Sequence, residues 1–256
     1  MREHRVQSGG TSNGQGRQPE RSALPFMISY NRPEMPTQAD RAPITRLIGD
    51  LNHQVSHYIK GAGTGSFDQE IPIGVPWKFR LAHLLANSRV FVPLLSPPFF
   101  ESEWCGKEWW VFRQRKVVTR HPLGEEELAV VPIVWAPISD REMHSDFRSL
   151  QYHNRHLPSA YRAEGLLALQ MRDRNDDAYR MSVNHIAKRI SDILKYTTIE
   201  RGKVVDLDTV PNRFKEPRGP GNPNWNGVRF WHQEDEPEEG PEAVAPPTGP
   251  ALPGQG

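Results

Sequence analysis

Val90 to Phe112 reads VFVPLLSPPFFESEWCGKEWWVF. The unbroken apolar run Val90 to Leu95, stopped by Ser96 and the Pro97-Pro98 pair, has the pattern of a short strand covered on both faces. A loop is expected next. Ser102 then stands where a helix N-cap would, and Trp104, Cys105, Glu108 and Phe112 recur at spacings of three and four that place them on one helix face. A carboxylate among aromatics, just beyond the C-terminal end of a parallel strand, occupies the region where open α/β sheets place ligands. Taken alone, Glu108 fits a solvated helix acid better, since glutamate is common on helix surfaces.

Outward from this block the chain alternates. Leu24 to Tyr30 (LPFMISY) is a second short apolar run, read as a buried strand that opens the fold. Its Ser29 suits either a hydroxyl bonded to backbone or a ribose or phosphate contact. Between Gln38 and Tyr58, Ile44, Leu47, Ile48, Leu51, Val55 and Tyr58 mark an amphipathic helix. The stretch KGAGTGSFDQEIPIGVP (60–76) is a turn-rich loop in which Asp68 shapes a turn or meets a ligand. Trp77 to Asn87 is helical again. Leu128 to Ala136 (LAVVPIVWA) reads as a third strand and Gly165 to Met171 (GLLALQM) as a weaker fourth. Tyr179 to Tyr196 closes the domain as a helix with Met181, Val183, Ile186, Ile190, Ile193 and Leu194 inward, and Lys188, Arg189 and Lys195 facing water. Strands alternating with helices of this length imply βαβ units, a mainly parallel sheet and helices on both faces.

The ends differ from the middle. Residues 1–22 hold no apolar stretch, and 201–256 form a tail dense in Pro, Gly, Glu and Asn, so both are expected to be disordered around a domain at 23–200. Trp225, Phe230 and Trp231 interrupt that tail and mark a docking segment near 224–232, for a protein partner or for the domain itself. A formal charge of +1 provides no net field to draw the chain onto nucleic acid or an anionic membrane. The lone Cys105 rules out an internal disulfide, and no run approaches the roughly 20 apolar residues of a membrane span. A cytoplasmic location, with no nucleic-acid or membrane partner, is the expectation.

Several tempting motifs read better as structure. Cys105 has no histidine near it in sequence and fits a small buried hydrophobe. His53 and His57 have the i, i+4 spacing of a metal pair but lack a third ligand, so no metal is expected. The GAGTG run (61–65) lacks the lysine and hydroxyl of a phosphate loop. The basic residues from Arg113 to His121 suit the C-terminal end of a helix dipole.

Three blocks in order resemble the TIR (Toll/interleukin-1 receptor) domain family, bacterial type, from about Pro25 to Tyr196: PFMISY (25–30), FDQEIPIG (67–74) and LLSPPFFESEWCGKEW (94–109). The CGKEW variant also resembles the TIR-like proteins that accompany FxSxx-COOH peptide clusters in actinomycetes. The resemblance implies a flavodoxin-like fold with a five-stranded, mainly parallel sheet. It implies one of two activities: cleavage of the nicotinamide–ribose bond of NAD⁺ by hydrolysis or cyclisation, in bacterial signalling or defence, or a non-catalytic interaction module in a signalling or peptide-maturation cluster. Glu108 then becomes the catalytic carboxylate, with NAD⁺ as substrate and no cofactor required. Phe26, Ser29 and Tyr30 would floor the pocket, with Ser96, Trp104 and Cys105 around the acid. Asp68 and the loop Ile71, Pro72, Ile73 and Gly74 would form a mobile lid and contact surface, and homotypic self-association would complete the site. The chain departs from the family pattern in the proline-rich link NRPEMPTQAD (31–40), in Gly106-Lys107 and in the paired Trp109-Trp110.

Overall fold

The computed structural model describes residues 24–32, 37–67, 76–119, 128–150, 156–172, 176–215 and 228–230. In chain order the elements are β1 (Leu24–Ser29), α1 (Gln38–Tyr58), α2 (Trp77–Asn87), β2 (Ser88–Leu95), α3 (Pro97–Glu101), α4 (Glu103–Arg113), β3 (Val117–Thr119), β4 (Ile133–Val134), α5 (Ser145–Arg148), α6 (Ser159–Arg172), α7 (Asp177–Tyr196) and β5 (Thr197–Ile199). β2 lies between β1 and β4 and pairs in parallel with each, Phe26 opposite Val90 and Leu95 opposite Val134. Outside β1, Ser66 bridges Met27 in parallel: Ile28 N–H donates to the Ser66 carbonyl and Ser66 N–H to that of Phe26, each at 3.0 Å. Across the sheet the chain segments therefore run second, first, third, fourth, the start of the flavodoxin-like 2-1-3-4-5 order.

A fifth parallel strand is not found among the described residues. The run Gly165–Met171, expected as a strand, belongs to α6, which kinks at Gly165 with φ 79°. A Cβ there would lie 2.6 Å from the Trp135 carbonyl oxygen, so glycine lets the helix rest directly on the end of the β4 segment. A short apolar run fits a buried strand or a buried helix turn, and here the helix places Leu166 and Leu169 in the core. β3 and β5 instead form a separate antiparallel ribbon, Val118 opposite Thr198. The strand expected over Leu128–Ala136 is interrupted at Pro132, which has no N–H to give: Val130 bridges Phe91, and regular pairing resumes only at Ile133.

The helices follow their periodicity. α1 and α2 have the expected bounds, and α1 opens on a capping box in which the Thr37 hydroxyl accepts the Asp40 N–H at 3.3 Å while Asp40 accepts the Thr37 N–H at 2.8 Å. Where a loop was expected after β2, Ser96 caps the one-turn α3, with Pro97 and Pro98 in its first turn, where a missing N–H costs nothing. In α7 the buried stripe contains Ser182 and Val183, whereas Met181 is 58% exposed and Arg189 is half-buried rather than facing water. The basic residues at and beyond the end of α4 divide their work: Arg115 donates to the carbonyls of Leu85 at 3.0 Å and of Ser88, closing the end of α2, and its burial pulls its pKa down to about 10. Arg113 pairs with Asp146 at 3.0 Å.

Packing continues past residue 200. Val205, Leu207 and Val210 are buried, so residues 201–215 are part of the packed domain rather than a spacer. Val205 bridges Phe230 antiparallel, and Asp206 N–H donates to the Arg229 carbonyl at 2.7 Å. The described part of the expected docking segment thus lies on its own domain. Trp225 and Trp231 lie outside the described residues.

Candidate active site

β1 ends at Ser29, opposite Pro93, which cannot donate to extend the ladder. α4 lies on one face of the sheet, where Phe112 stacks on Phe91 of β2 at 5.0 Å and Trp109 lies 5.9 Å from the same ring. Phe91 is the register partner of Met27, so Met27 and, two residues on, Ser29 project from the face that α4 covers. Glu108, one turn before Phe112, reaches this face. It is 4% exposed, and its carboxylate accepts the Ser29 hydroxyl. A buried carboxylate at the carboxyl end of β1 is therefore a property of the folded chain, and the solvated-acid reading of Glu108 does not hold.

Trp104, four residues before Glu108, shares its side of α4. Its ring meets that of Trp77, the first residue of α2, edge-on at 4.6 Å. Three cations border this pair: Lys107 Nζ lies 4.8 Å from the Trp104 ring and Lys78 Nζ 5.5 Å, while the Arg32 guanidinium lies 5.8 Å from Trp77. Lys107 also pairs with Glu103 at 2.8 Å and holds that carboxyl below its ordinary value, chiefly through their hydrogen bond. Aromatic edges bordered by ammonium and guanidinium groups suit a ligand with planar bases and anionic linkages.

The other expected site residues are distributed unevenly. Phe26 is fully buried but lies three residues from Ser29, on the opposite face of β1, and its ring fills the space a Cβ on Gly65 would need, 2.3 Å away. Tyr30 is half-buried, its ring 6.5 Å from that of Phe67. Ser96 is occupied as the α3 cap, accepting the Phe99 N–H at 3.3 Å. Cys105 is buried in the first turn of α4, where the Ser102 hydroxyl accepts its N–H at 3.3 Å, the expected N-cap. Asp68, Ile71, Pro72, Ile73 and Gly74 lie outside the described residues. The rings of His53 and His57 meet edge-on at 4.6 Å, and among the described residues no group of three or more His, Cys, Asp or Glu could hold a metal. No helix among them is long and apolar enough to cross a membrane.

The sequence reading missed a polar centre on the outer side of α4. Asp146 accepts the Trp109 indole N–H at 3.0 Å and both arms of the Arg213 guanidinium, Nε at 3.0 Å and Nη2 at 3.1 Å. Burial raises the Asp146 carboxyl, but the hydrogen bonds from Arg213 and Trp109 and the charges of Arg113 and Arg213 outweigh it and hold it below its ordinary value. The signal lay in VVDLDTV (204–210), an apolar–polar alternation hidden by the composition of the surrounding tail. A cavity of about 230 Å³ lined by Phe100, His144, Arg148 and Phe214 borders this centre and does not include Glu108.

Fold and site together define an open parallel α/β domain with a buried carboxylate at the carboxyl ends of its strands. A family model described as TIR domain matches residues 26–167, and the chain belongs to the TIR domain family. The match spans β1 through the first half of α6, so it contains Ser29, Trp104 and Glu108. Comparison with curated proteins finds no match.

Proposed function

We propose that this TIR domain is an NAD⁺ nucleosidase in which Glu108 is the catalytic carboxylate, active on self-association in bacterial signalling or defence. The observation that carries this reading is the Ser29–Glu108 hydrogen bond, which holds a buried carboxylate at the end of β1. The Ser29 hydroxyl gives this carboxylate a donor of the kind that a ribose hydroxyl would supply on binding. Trp104 and Trp77 would receive a base, with Lys78, Lys107 and Arg32 near the diphosphate.

In the reaction the bond between ribose C1′ and the nicotinamide nitrogen breaks, and its electron pair leaves with neutral nicotinamide. Positive charge develops across C1′ and the ring oxygen, where a fixed carboxylate in a dry site stabilises it most. Water then adds to C1′ and loses a proton to the carboxylate or solvent, or an adenine nitrogen of the same nucleotide closes the ring. Nicotinamide is a good leaving group without protonation, so one acidic residue suffices. Trp109 and Trp110 are buried, and the Trp109 indole N–H donates to Asp146.

The test is nicotinamide release from NAD⁺ by the full chain, with and without a crowding agent, for wild type and Glu108→Ala. The expected result is release by wild type and a loss on the order of 100-fold or more in the variant. Equal release by both would reassign the catalytic group. Release by neither, across oligomeric states, would leave the chain as a non-catalytic TIR interaction module.

A further inference from the structure

Beyond β5 the chain crosses the outer surface of the helices that flank Glu108. Gly202 N–H donates to the Ala86 carbonyl at the end of α2 at 2.9 Å, and Asp208 pairs with Lys78 at the start of the same helix at 2.7 Å. It then reaches α4. Arg213 N–H donates to the Gly106 carbonyl at 3.4 Å, and a Cβ on Gly106 would lie 1.9 Å from Asn212 Oδ1. That oxygen is engaged, accepting the Phe214 N–H at 3.0 Å. Phe214 enters the aromatic group of Phe99, Phe100 and Phe147, at 5.5, 5.2 and 6.2 Å, while the 7% exposed Arg213 grips Asp146. Gly106, a departure from the family pattern, is thus the position at which α4 admits the strap.

Gly106 and Glu108 are two residues apart, about 200° around the helix. The strap therefore presses on the side of α4 away from the carboxylate. Its one contact beside the Trp77–Trp104 pair is Asp208, which holds Lys78 at 2.7 Å. Through Asp146 its guanidinium also fixes the Trp109 indole, the residue next to Glu108.

We propose that residues 203–215 form a strap that seats α4 on the sheet, with Arg213 the positioning residue that fixes Glu108 against Ser29. This rests on the reading of Glu108 as the catalytic carboxylate. Misplacing a reacting group by about 1 Å costs on the order of 100-fold in rate, so a contact that holds α4 in place bears on the rate even from the far side of the helix.

The experiment measures two quantities on the full chain: amide hydrogen exchange, and kcat and KM for nicotinamide release. The variants are Arg213→Met, Arg213→Lys, Gly106→Ala, and Gly106→Ala combined with Asn212→Gly. Arg213→Met is expected to raise exchange across α4 while β1 and β2 stay protected, and to lower kcat on the order of 100-fold with KM nearly unchanged. Arg213→Lys, which keeps the charge but loses the fork, should recover part of kcat. Gly106→Ala should behave like Arg213→Met, and removing the Asn212 side chain should relieve it. Unchanged exchange in α4 of Arg213→Met, or a loosened α4 with unaltered kcat, overturns the proposal. Should Arg213→Met unfold throughout, the Gly106 pair decides: relief by Asn212→Gly supports the strap, and no relief overturns it. Absence of nicotinamide release from wild type would end the catalytic reading alone, and the exchange pattern would still decide whether the strap seats α4.

Discussion

Glu108, buried beneath α4, accepts the Ser29 hydroxyl. A buried acceptor that loses a donor bears its desolvation cost, about 1–3 kcal/mol. Ser29→Ala should therefore lower stability by that amount in urea titrations, against an effect near zero had Glu108 been solvated. Gly65 tests packing in the same way. Its missing Cβ leaves room for the Phe26 ring, so Gly65→Ala should overpack the core and cost about 1–3 kcal/mol, read from the denaturant midpoint. At this scale Glu108 was legible, because a single acid in an aromatic helix stands out. Its partner was not, since the spacing of 79 residues between Ser29 and Glu108 is closed only by parallel pairing of β1 and β2.

Element bounds were legible wherever caps and periodicity agreed. Ser102 was identifiable as a cap from the residues after it, and its hydroxyl accepts the Cys105 N–H. Ser102→Ala should cost about 1 kcal/mol in thermal or urea unfolding. α6 was misread because an apolar run of its length has no decisive period, and only contact between Gly165 and Trp135 makes it a kinked helix. Gly106 separates propensity from tertiary context directly. On propensity alone Gly106→Ala should stabilise α4 by about 1 kcal/mol. The overlap with Asn212 reverses the sign, so a net loss of stability is expected, measured with and without Asn212→Gly.

For the whole molecule the strap ties the domain's last segment to its middle through Asp146. Its carboxyl is held below the ordinary value in the fold, so its contribution is fully present above the unfolded pKa of about 3.9 and is lost as pH falls through the lower folded value. Wild type should lose stability between about pH 5 and about pH 3 more steeply than Asp146→Asn, as read from urea midpoints at both pH values. Removing Arg213 breaks a buried pair while Arg113 remains, which points to the low end of the usual range, about 3 kcal/mol.

Hydrophobic period, capping residues and the spacing of three motif blocks are local properties, and they were enough to specify a parallel α/β domain, the family and the acid at 108. Burial of that acid, its contact with Ser29, the exclusion of Phe26 from its face and the incorporation of residues 201–215 into the core depend on which distant segments meet. Those meetings are decided by sheet register and by close approach at Gly65, Gly106 and Gly165, where a single missing side chain sets how near two backbones can come.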